Sequence, residues 1–131
     1  MFATSGQLFF VKADMEFSFK QFSLDHSLSS MKVGTDAVLL SSLMPRNRAK
    51  HILDIGTGCG VVALLAAQFN PQATVTAIDI DTPSMAQARN NFASSPFADR
   101  MQAIETSLQD FADSKDHIGR FDLVVSNPPY F

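Results

Sequence analysis

Short apolar runs alternate with glycine, proline and polar positions along most of the chain, which predicts alternating strands and helices. Four runs predict buried strands, at residues 51–55, 73–78, 101–105 and 121–126. Segments with helical spacing lie between them, at residues 61–69, 83–92 and 108–112. Strands that alternate with helices are typical of an α/β fold with a parallel sheet, so we expect such a layer here.

The N-terminal part has a different pattern. Alternating apolar residues at 8–11 and 17–22 predict a β-hairpin, and the spacing at 35–44 predicts a helix that Pro45 ends. We therefore divide the chain into a hairpin and lead-in at 1–34 and an α/β domain at 35–131.

The fourth predicted strand has the apolar run Leu123-Val124-Val125, which is typical of a central parallel strand with neighbours on both sides. No further strand pattern follows it. We therefore expect a fragment of a longer protein, with an exposed edge on the fourth strand that favours self-association. The alternative is that the N-terminal hairpin or a partner subunit covers this edge.

Composition limits the possible classes of protein. The chain has 131 residues, 46% of them hydrophobic and 18% charged, which suits one globular domain with a hydrophobic core. Cys59 is the one cysteine, so no internal disulfide forms and a reducing, cytoplasmic location is expected. No cysteine or histidine spacing indicates a metal site. Neither a signal-peptide pattern nor an apolar run of membrane-spanning length occurs, so no membrane partner is expected.

The net charge of −3 argues against nucleic-acid binding by bulk attraction, which needs clustered Lys and Arg. Arg46, Arg48 and Lys50 nevertheless form a local basic cluster. A nucleic-acid contact and a solvated turn both explain it.

Gly56, Gly58 and Gly60 follow the first predicted strand and precede a helix. Such a loop needs glycine because the backbone turns sharply and approaches a ligand closely. Val61 breaks the spacing of a dinucleotide fingerprint, which disfavours an oxidoreductase that uses nicotinamide. The loop therefore predicts either another nucleotide-like cofactor or a tight structural turn.

Acidic residues at the strand ends are candidates for cofactor contacts. Asp79 ends the second strand, where its carboxylate can accept hydrogen bonds from both ribose hydroxyls. Asp81 could share this task, but a carboxylate at the start of a helix is its better interpretation. Thr82 is predicted to cap that helix, with Pro83 as its first residue. We expect Ile80 to pack on the cofactor's adenine and Asp54 to receive the cofactor's amino group.

Asn127-Pro128-Pro129-Tyr130 follows the fourth strand. An amino group on a heteroaromatic ring is a poor nucleophile because its lone pair is delocalised into the ring. If the Asn127 side-chain oxygen and the Pro128 carbonyl accept its two hydrogens, the lone pair points at a methyl donor. The prolines stiffen this loop, and Tyr130 offers a face for a flipped-out base. A turn without chemistry is the alternative.

These residues resemble the class I, S-adenosylmethionine-dependent methyltransferases, in the amino-methylating branch with the Asn-Pro-Pro-Tyr motif. The segments 17–22, 31–36, 53–58 and 121–130 are similar to those of bacterial enzymes that methylate N6 of adenine-37 in valine tRNA. The resemblance implies a Rossmann-like sheet of order 3-2-1-4-5-7-6, truncated here to 3-2-1-4, with helices on both faces.

The same resemblance implies S-adenosylmethionine as cofactor and the anticodon loop of valine tRNA as partner. It implies that Lys32, Gly34 and Thr35 lie near the methionine end of the cofactor and that Asn127 also contacts it. Where relatives have an acidic residue for the cofactor's adenine amine, this chain has Ser107, with Asp110 three residues on.

Three alternatives stay open at this point. Related enzymes with the same motif methylate N5 of glutamine in proteins or N6 of adenine in DNA, because an amide and an aryl amine make the same demands. A non-catalytic fragment that only binds the cofactor is the third.

Overall fold

The computed structural model describes residues 2–4, 7–9, 43–114 and 120–126, the first two ranges by their backbone. The strands are β1 (Phe2–Thr4), β2 (Gln7–Phe9), β3 (His51–Ile55), β4 (Thr74–Asp79), β5 (Met101–Glu105) and β6 (Leu123–Ser126). The helices are α1 (Val61–Phe69), α2 (Thr82–Ala93) and α3 (Leu108–Asp113), with a 3-10 turn at Ala98–Arg100.

The described strands form one sheet of order β2-β1-β6-β3-β4-β5. Strands β5, β4, β3 and β6 are parallel neighbours, so the predicted order 3-2-1-4 is confirmed. Ile55 pairs with both Ile78 and Ser126. The carboxyl ends of β3, β4 and β6 therefore lie side by side at one edge of the sheet.

Helices cover both faces of the sheet, as predicted. Successive side chains of a strand point to opposite faces, so each strand contributes to two cores. On one face, helices α1 and α2 share a core with Ile52, Val75 and Leu123. On the other face, Phe111 of α3 packs with Leu53 and Ile78. The apolar runs of the central strands follow from this burial on both sides.

The N-terminal hairpin differs from its prediction. Leu8 and Phe9 lie in a strand, as expected, but β2 pairs antiparallel with β1, from Phe2↔Phe9 to Thr4↔Gln7. The predicted partner segment 17–22 lies outside the described residues. The pattern missed this pairing because three-residue strands give too short an alternation to identify a partner.

The edge of the fourth parallel strand is covered. Strand β1 pairs antiparallel with β6, with Phe2 opposite Val125 and Thr4 opposite Leu123. The expected exposed edge on β6 is therefore wrong, and with it the premise of self-association through that edge. The N-terminal hairpin covers this edge of β6, which confirms the alternative given above for the fourth strand.

The start of α2 also corrects the sequence prediction. Asp81, not Thr82, caps the helix: its Oδ2 accepts hydrogen bonds from the Ser84 backbone N–H (3.1 Å) and the Ser84 hydroxyl (2.6 Å). Thr82 is the first helical residue, Pro83 the second, and the Thr82 hydroxyl donates to Glu105 Oε2 at 3.1 Å. A carboxylate is favoured at this position by the helix dipole. The expected role of Asp81 at the helix start is confirmed.

Asn70 and Arg100 fix the opposite end of the sheet. The Asn70 side chain is fully buried, accepts from the backbone N–H groups of Arg48 and Ala49, and donates to the Pro45 and Ala66 carbonyls. The Arg100 guanidinium donates to three backbone carbonyls, those of residues 67, 70 and 73. The bonds to the Ala66 and Ala67 carbonyls reach the last turns of α1, where a helix leaves carbonyl groups without partners of its own.

Candidate functional site

Three glycines shape the loop between β3 and α1. Gly56, Gly58 and Gly60 have φ values of 71°, 57° and 93°, a region that other residues adopt only with strain. A Cβ on Gly60 would lie 2.5 Å from the Phe92 ring, whereas a Cβ on Gly56 or Gly58 would meet no atom within 4 Å. The loop therefore packs on α2 at Gly60 and faces open space at the other two glycines.

Asp79 holds this loop from the end of β4. Its Oδ2 accepts from the Gly58 backbone N–H at 2.8 Å, and its Oδ1 accepts from the Asp81 N–H at 2.9 Å. Each carboxylate oxygen can accept more than one hydrogen bond. Asp79 is half-buried, so it retains capacity for hydroxyl groups of a ligand.

Asp54 is fully buried beneath the loop. The Thr57 hydroxyl donates to its Oδ2 at 2.6 Å, while no hydrogen-bond partner among the described residues reaches Oδ1. Burial raises the pKa of Asp54 from 3.8 to about 7, and the negative charge of Asp79 acts in the same direction. The hydrogen bond from the Thr57 hydroxyl and a smaller contribution from the Ala63 backbone N–H lower the pKa. A buried carboxylate oxygen without a donor is suited to a ligand that brings one.

Two exposed apolar side chains follow the ends of adjacent strands. Ile80, after β4, is 72% exposed, and Leu108, shortly after β5, is 48% exposed. Such side chains are suited to the flat face of an aromatic ligand. Ser107 lies between β5 and Leu108 and caps α3, its hydroxyl oxygen accepting from the Asp110 N–H at 3.0 Å. Its hydroxyl hydrogen is not used in this bond.

The end of β6 is tied to the end of β3. The Ser126 hydroxyl donates to the Ile55 carbonyl at 2.7 Å, in addition to the backbone pairing of the two residues. The chain thus leaves β6 towards Asn127 beside the point where β3 enters Gly56. Asn127, Pro128 and Tyr130 themselves lie outside the described residues, as do Lys32, Gly34 and Thr35.

The structure therefore brings seven of the predicted residues to one edge of the sheet: Asp54, Gly56, Gly58, Gly60, Asp79, Ile80 and Ser107. Sequence reasoning missed Thr57, Ser126 and Leu108. The position of Thr57, three residues after Asp54 in a tight loop, was an available signal. Ser126 and Leu108 gave none, because their roles depend on neighbouring strands.

The basic cluster lies elsewhere. Arg46, Arg48 and Lys50 precede β3 and so lie at the amino ends of the parallel strands, opposite the glycine loop. The Arg46 guanidinium lies 4.0 Å from the centroid of the Phe69 ring. Within the described ranges, no group of three or more His, Cys, Asp or Glu could hold a metal ion. None of the helices described there is long and apolar enough to cross a membrane.

A family model for the methyltransferase small domain matches residues 20–131. The chain belongs to this family. Among curated relatives, the tRNA1(Val) (adenine(37)-N6)-methyltransferase of Parabacteroides distasonis is 46% identical over 119 residues, which cover 91% of this chain and 49% of the relative. The enzyme of the same name from Aeromonas hydrophila is 43% identical over 116 residues, covering 88% and 47%.

The chain spans about half the length of the curated relatives it matches. A similar solved structure is the delta-N METTL16 MTase domain, with a TM-score of 0.63, 19% identity, and cover of 84% of this chain and 53% of that one. At this identity the likeness concerns the fold, and it confirms the Rossmann-like methyltransferase sheet. Family and fold together imply use of S-adenosylmethionine in general.

The described residues fit this cofactor. Open space at Gly56 and Gly58 allows close approach to the backbone, and Asp54 Oδ1 lacks a donor that a cationic amine could supply. Exposed Ile80 offers an apolar surface beside the Asp79 carboxylate. Two carboxylate acceptors and one apolar side chain thus match the three parts of the molecule: an amino acid, a ribose and an adenine.

Proposed function

We propose that the protein takes part in transfer of a methyl group from S-adenosylmethionine to N6 of adenine-37 in valine tRNA, in the cytoplasm. The observation that carries the proposal is the 46% identity to a relative named for that reaction, over nearly the whole of this chain. The geometry of the glycine loop and its carboxylates supports the cofactor part. The relatives' names support the substrate part.

The cofactor would be held by the edge of the sheet described above. Asp79 would accept hydrogen bonds from the ribose hydroxyls, and Ile80 would contact the adenine. Ser107 would accept a hydrogen bond from the adenine amine with the second lone pair of its hydroxyl oxygen, since the first accepts from the Asp110 N–H. Asp54 would receive the amine of the methionine part, near Lys32, Gly34 and Thr35. When bound, S-adenosylmethionine supplies an activated methyl group on a sulfonium centre.

The substrate amine would be held by Asn127, with the Pro128 carbonyl as second acceptor and Tyr130 as stacking surface. Orientation of two reactants in this way can supply several kcal/mol of the barrier, with about 7–11 kcal/mol as the limit. The Ser126 bond to Ile55 supports this assignment, because it ties the residue before Asn127 to the residue before the glycine loop. No strong base is required of the protein.

The test is methyl transfer to unmodified valine tRNA made by transcription. The protein is incubated with this tRNA and S-adenosylmethionine labelled in its methyl group, and the digested RNA is analysed for labelled N6-methyladenosine. We expect label in wild-type tRNA and none in a matched tRNA with guanosine at position 37. An Asn127→Ala variant should lose transfer, whereas its cofactor binding should fall only by the one contact that Asn127 makes.

Other outcomes discriminate between substrates. Label in a glutamine-containing release factor or in adenine-containing DNA, but not in tRNA, would replace the RNA substrate with the alternative concerned. Cofactor binding without transfer to any of the three would favour a binding fragment. Absence of cofactor binding would overturn the proposal as a whole.

A further inference from the structure

Asp54 and Thr57 form a buried pair at the start of the glycine loop. Asp54 is fully buried and Thr57 is 5% exposed. The Thr57 backbone is fixed on both sides, since its N–H donates to the Ile78 carbonyl at 3.0 Å and its own carbonyl accepts from the Gly60 N–H at 2.9 Å. Its hydroxyl is therefore directed at Asp54 Oδ2 by the fold of the loop rather than by a mobile side chain.

The charge of Asp54 depends on this hydroxyl. Burial disfavours a carboxylate, and a hydrogen bond to the ionised form favours it. The Thr57 hydroxyl is the side-chain donor that reaches the carboxylate among the described residues. The titratable group that faces Asp54 within the same residues is Asp79, whose negative charge opposes ionisation. Without the hydroxyl, only the smaller contribution of the Ala63 backbone hydrogen bond would favour ionisation from within the described residues. Burial and the Asp79 charge would then favour the neutral carboxyl, which does not attract a cation.

We propose that Thr57 is a positioning residue for cofactor binding: its hydroxyl keeps Asp54 ionised and turned so that Oδ1 receives the protonated amine of the cofactor. The inference rests on the proposed use of S-adenosylmethionine and deepens it. Thr57 would control the pH range in which the cofactor binds without itself contacting the cofactor.

The expected pH dependence has two limbs. Asp54 gains its charge as pH rises through about 7, because burial raises its pKa to that value, so affinity increases up to neutral pH. An α-amino group loses its proton above about 8, so affinity falls again at alkaline pH. Removal of the Thr57 hydroxyl should move the acidic limb to higher pH and leave the alkaline limb, which belongs to the ligand, in place.

Titration calorimetry with S-adenosylhomocysteine between pH 5.5 and 9 tests this, because this ligand has the same amine and needs no methyl acceptor. Thr57→Val keeps the shape of the side chain and removes the hydroxyl, whereas Thr57→Ser keeps the hydroxyl. We expect Thr57→Val to bind roughly tenfold or more weakly at pH 7, with its acidic limb moved upward. Thr57→Ser should follow wild type, and Asp54→Asn should have no acidic limb.

A second ligand serves as the matched control. Methylthioadenosine has the ribose and adenine but no amino acid part, so its affinity should be the same for wild type and Thr57→Val and should lack both limbs. Circular dichroism of each variant establishes that it is folded. If Thr57→Val does not fold, Thr57→Ala removes the same hydroxyl with a smaller side chain and gives the same comparison with Thr57→Ser.

The inference is overturned if Thr57→Val and wild type have the same acidic limb, or if both ligands have the same pH profile on wild type. In either case binding of the cofactor itself would stand. Failure of both ligands to bind at every pH would instead overturn the proposed cofactor, so the two failures are distinguishable.

Discussion

At the scale of single residues, the end of β3 and the loop after it contain groups that cost stability. The Asp54 carboxyl group is fully buried, and its raised pKa means that the folded protein binds the proton more tightly than the unfolded chain does. Every second residue of the loop, at Gly56, Gly58 and Gly60, has a positive φ value. Costs of this kind are typical of functional sites, where the surrounding structure holds a conformation that is unfavourable alone.

Asp54→Asn should stabilise the ligand-free protein, and more so at pH 8 than at pH 5. The wild-type protein loses stability as pH rises from 3.8 to about 7, because the carboxylate forms less readily in the fold than in the unfolded chain. The limit of this loss is about 4 kcal/mol, at about 1.4 kcal/mol per pKa unit. Urea unfolding of both proteins at the two pH values measures it. An equal difference at both values would contradict the buried carboxylate as its cause.

Alanine at Gly58 and at Gly60 should have different effects. At Gly58, positive φ alone should cost about 1–2 kcal/mol of stability, while the new methyl group enters the open space and weakens cofactor binding. At Gly60 the Cβ would also collide with the Phe92 ring, adding about 1–3 kcal/mol. Thermal unfolding and calorimetry on the pair separate the two roles. Equal losses of stability would mean that Phe92 moves aside freely.

At the scale of helices and strands, the sequence predicted what is decided locally. The bounds of β3, α1 and β5 agree with their patterns, because glycine, proline and the change of period mark those ends. The cap of α2 was wrong because Asp81 and Thr82 are adjacent and both are able to cap; the backbone at Asp81 is extended, which decides between them. The bond between Ser126 and Ile55 joins residues 71 apart, which no local pattern encodes.

Asp81→Ala and Thr82→Ala test the cap of α2. Asp81→Ala should destabilise the protein by about 0.5–2 kcal/mol, because the Ser84 N–H and hydroxyl lose their acceptor. Thr82→Ala removes one exposed contact with Glu105 and should change stability by less than about 0.5 kcal/mol. Chemical denaturation of both variants is the measurement. The reverse order of effects would restore Thr82 as the cap.

At the scale of the whole molecule, the order of the sheet was predictable only in part. The four parallel strands follow from alternation with helices. The pairing of β1 with β6 could not be predicted in this way, because the sequence of a three-residue strand does not indicate its partner. Of the candidate site, the strand ends and glycines were readable from the sequence, and the contacts between them depended on the fold.

Removal of residues 1–9 should make the protein associate. Without β1, the backbone N–H and C=O groups of β6 that pair with it would lack partners, and an uncovered apolar strand is a template for another chain. Analytical ultracentrifugation over a range of concentrations should show larger species for the shortened chain than for the intact one. A shortened chain that stays the same size at every concentration would contradict a protective role for β1.

The hydrogen bond from Ser126 to Ile55 also has a mechanical consequence. It joins the last residue of β3 to the last residue of β6, at the points where the backbone leaves the sheet. Displacement of one strand end is therefore resisted by the other. The hydrogen bond would thus help to keep a constant distance between groups carried by the two strand ends. A transfer reaction between two bound molecules depends on their separation, so it gains from strand ends that hold the two binding sites at a constant distance.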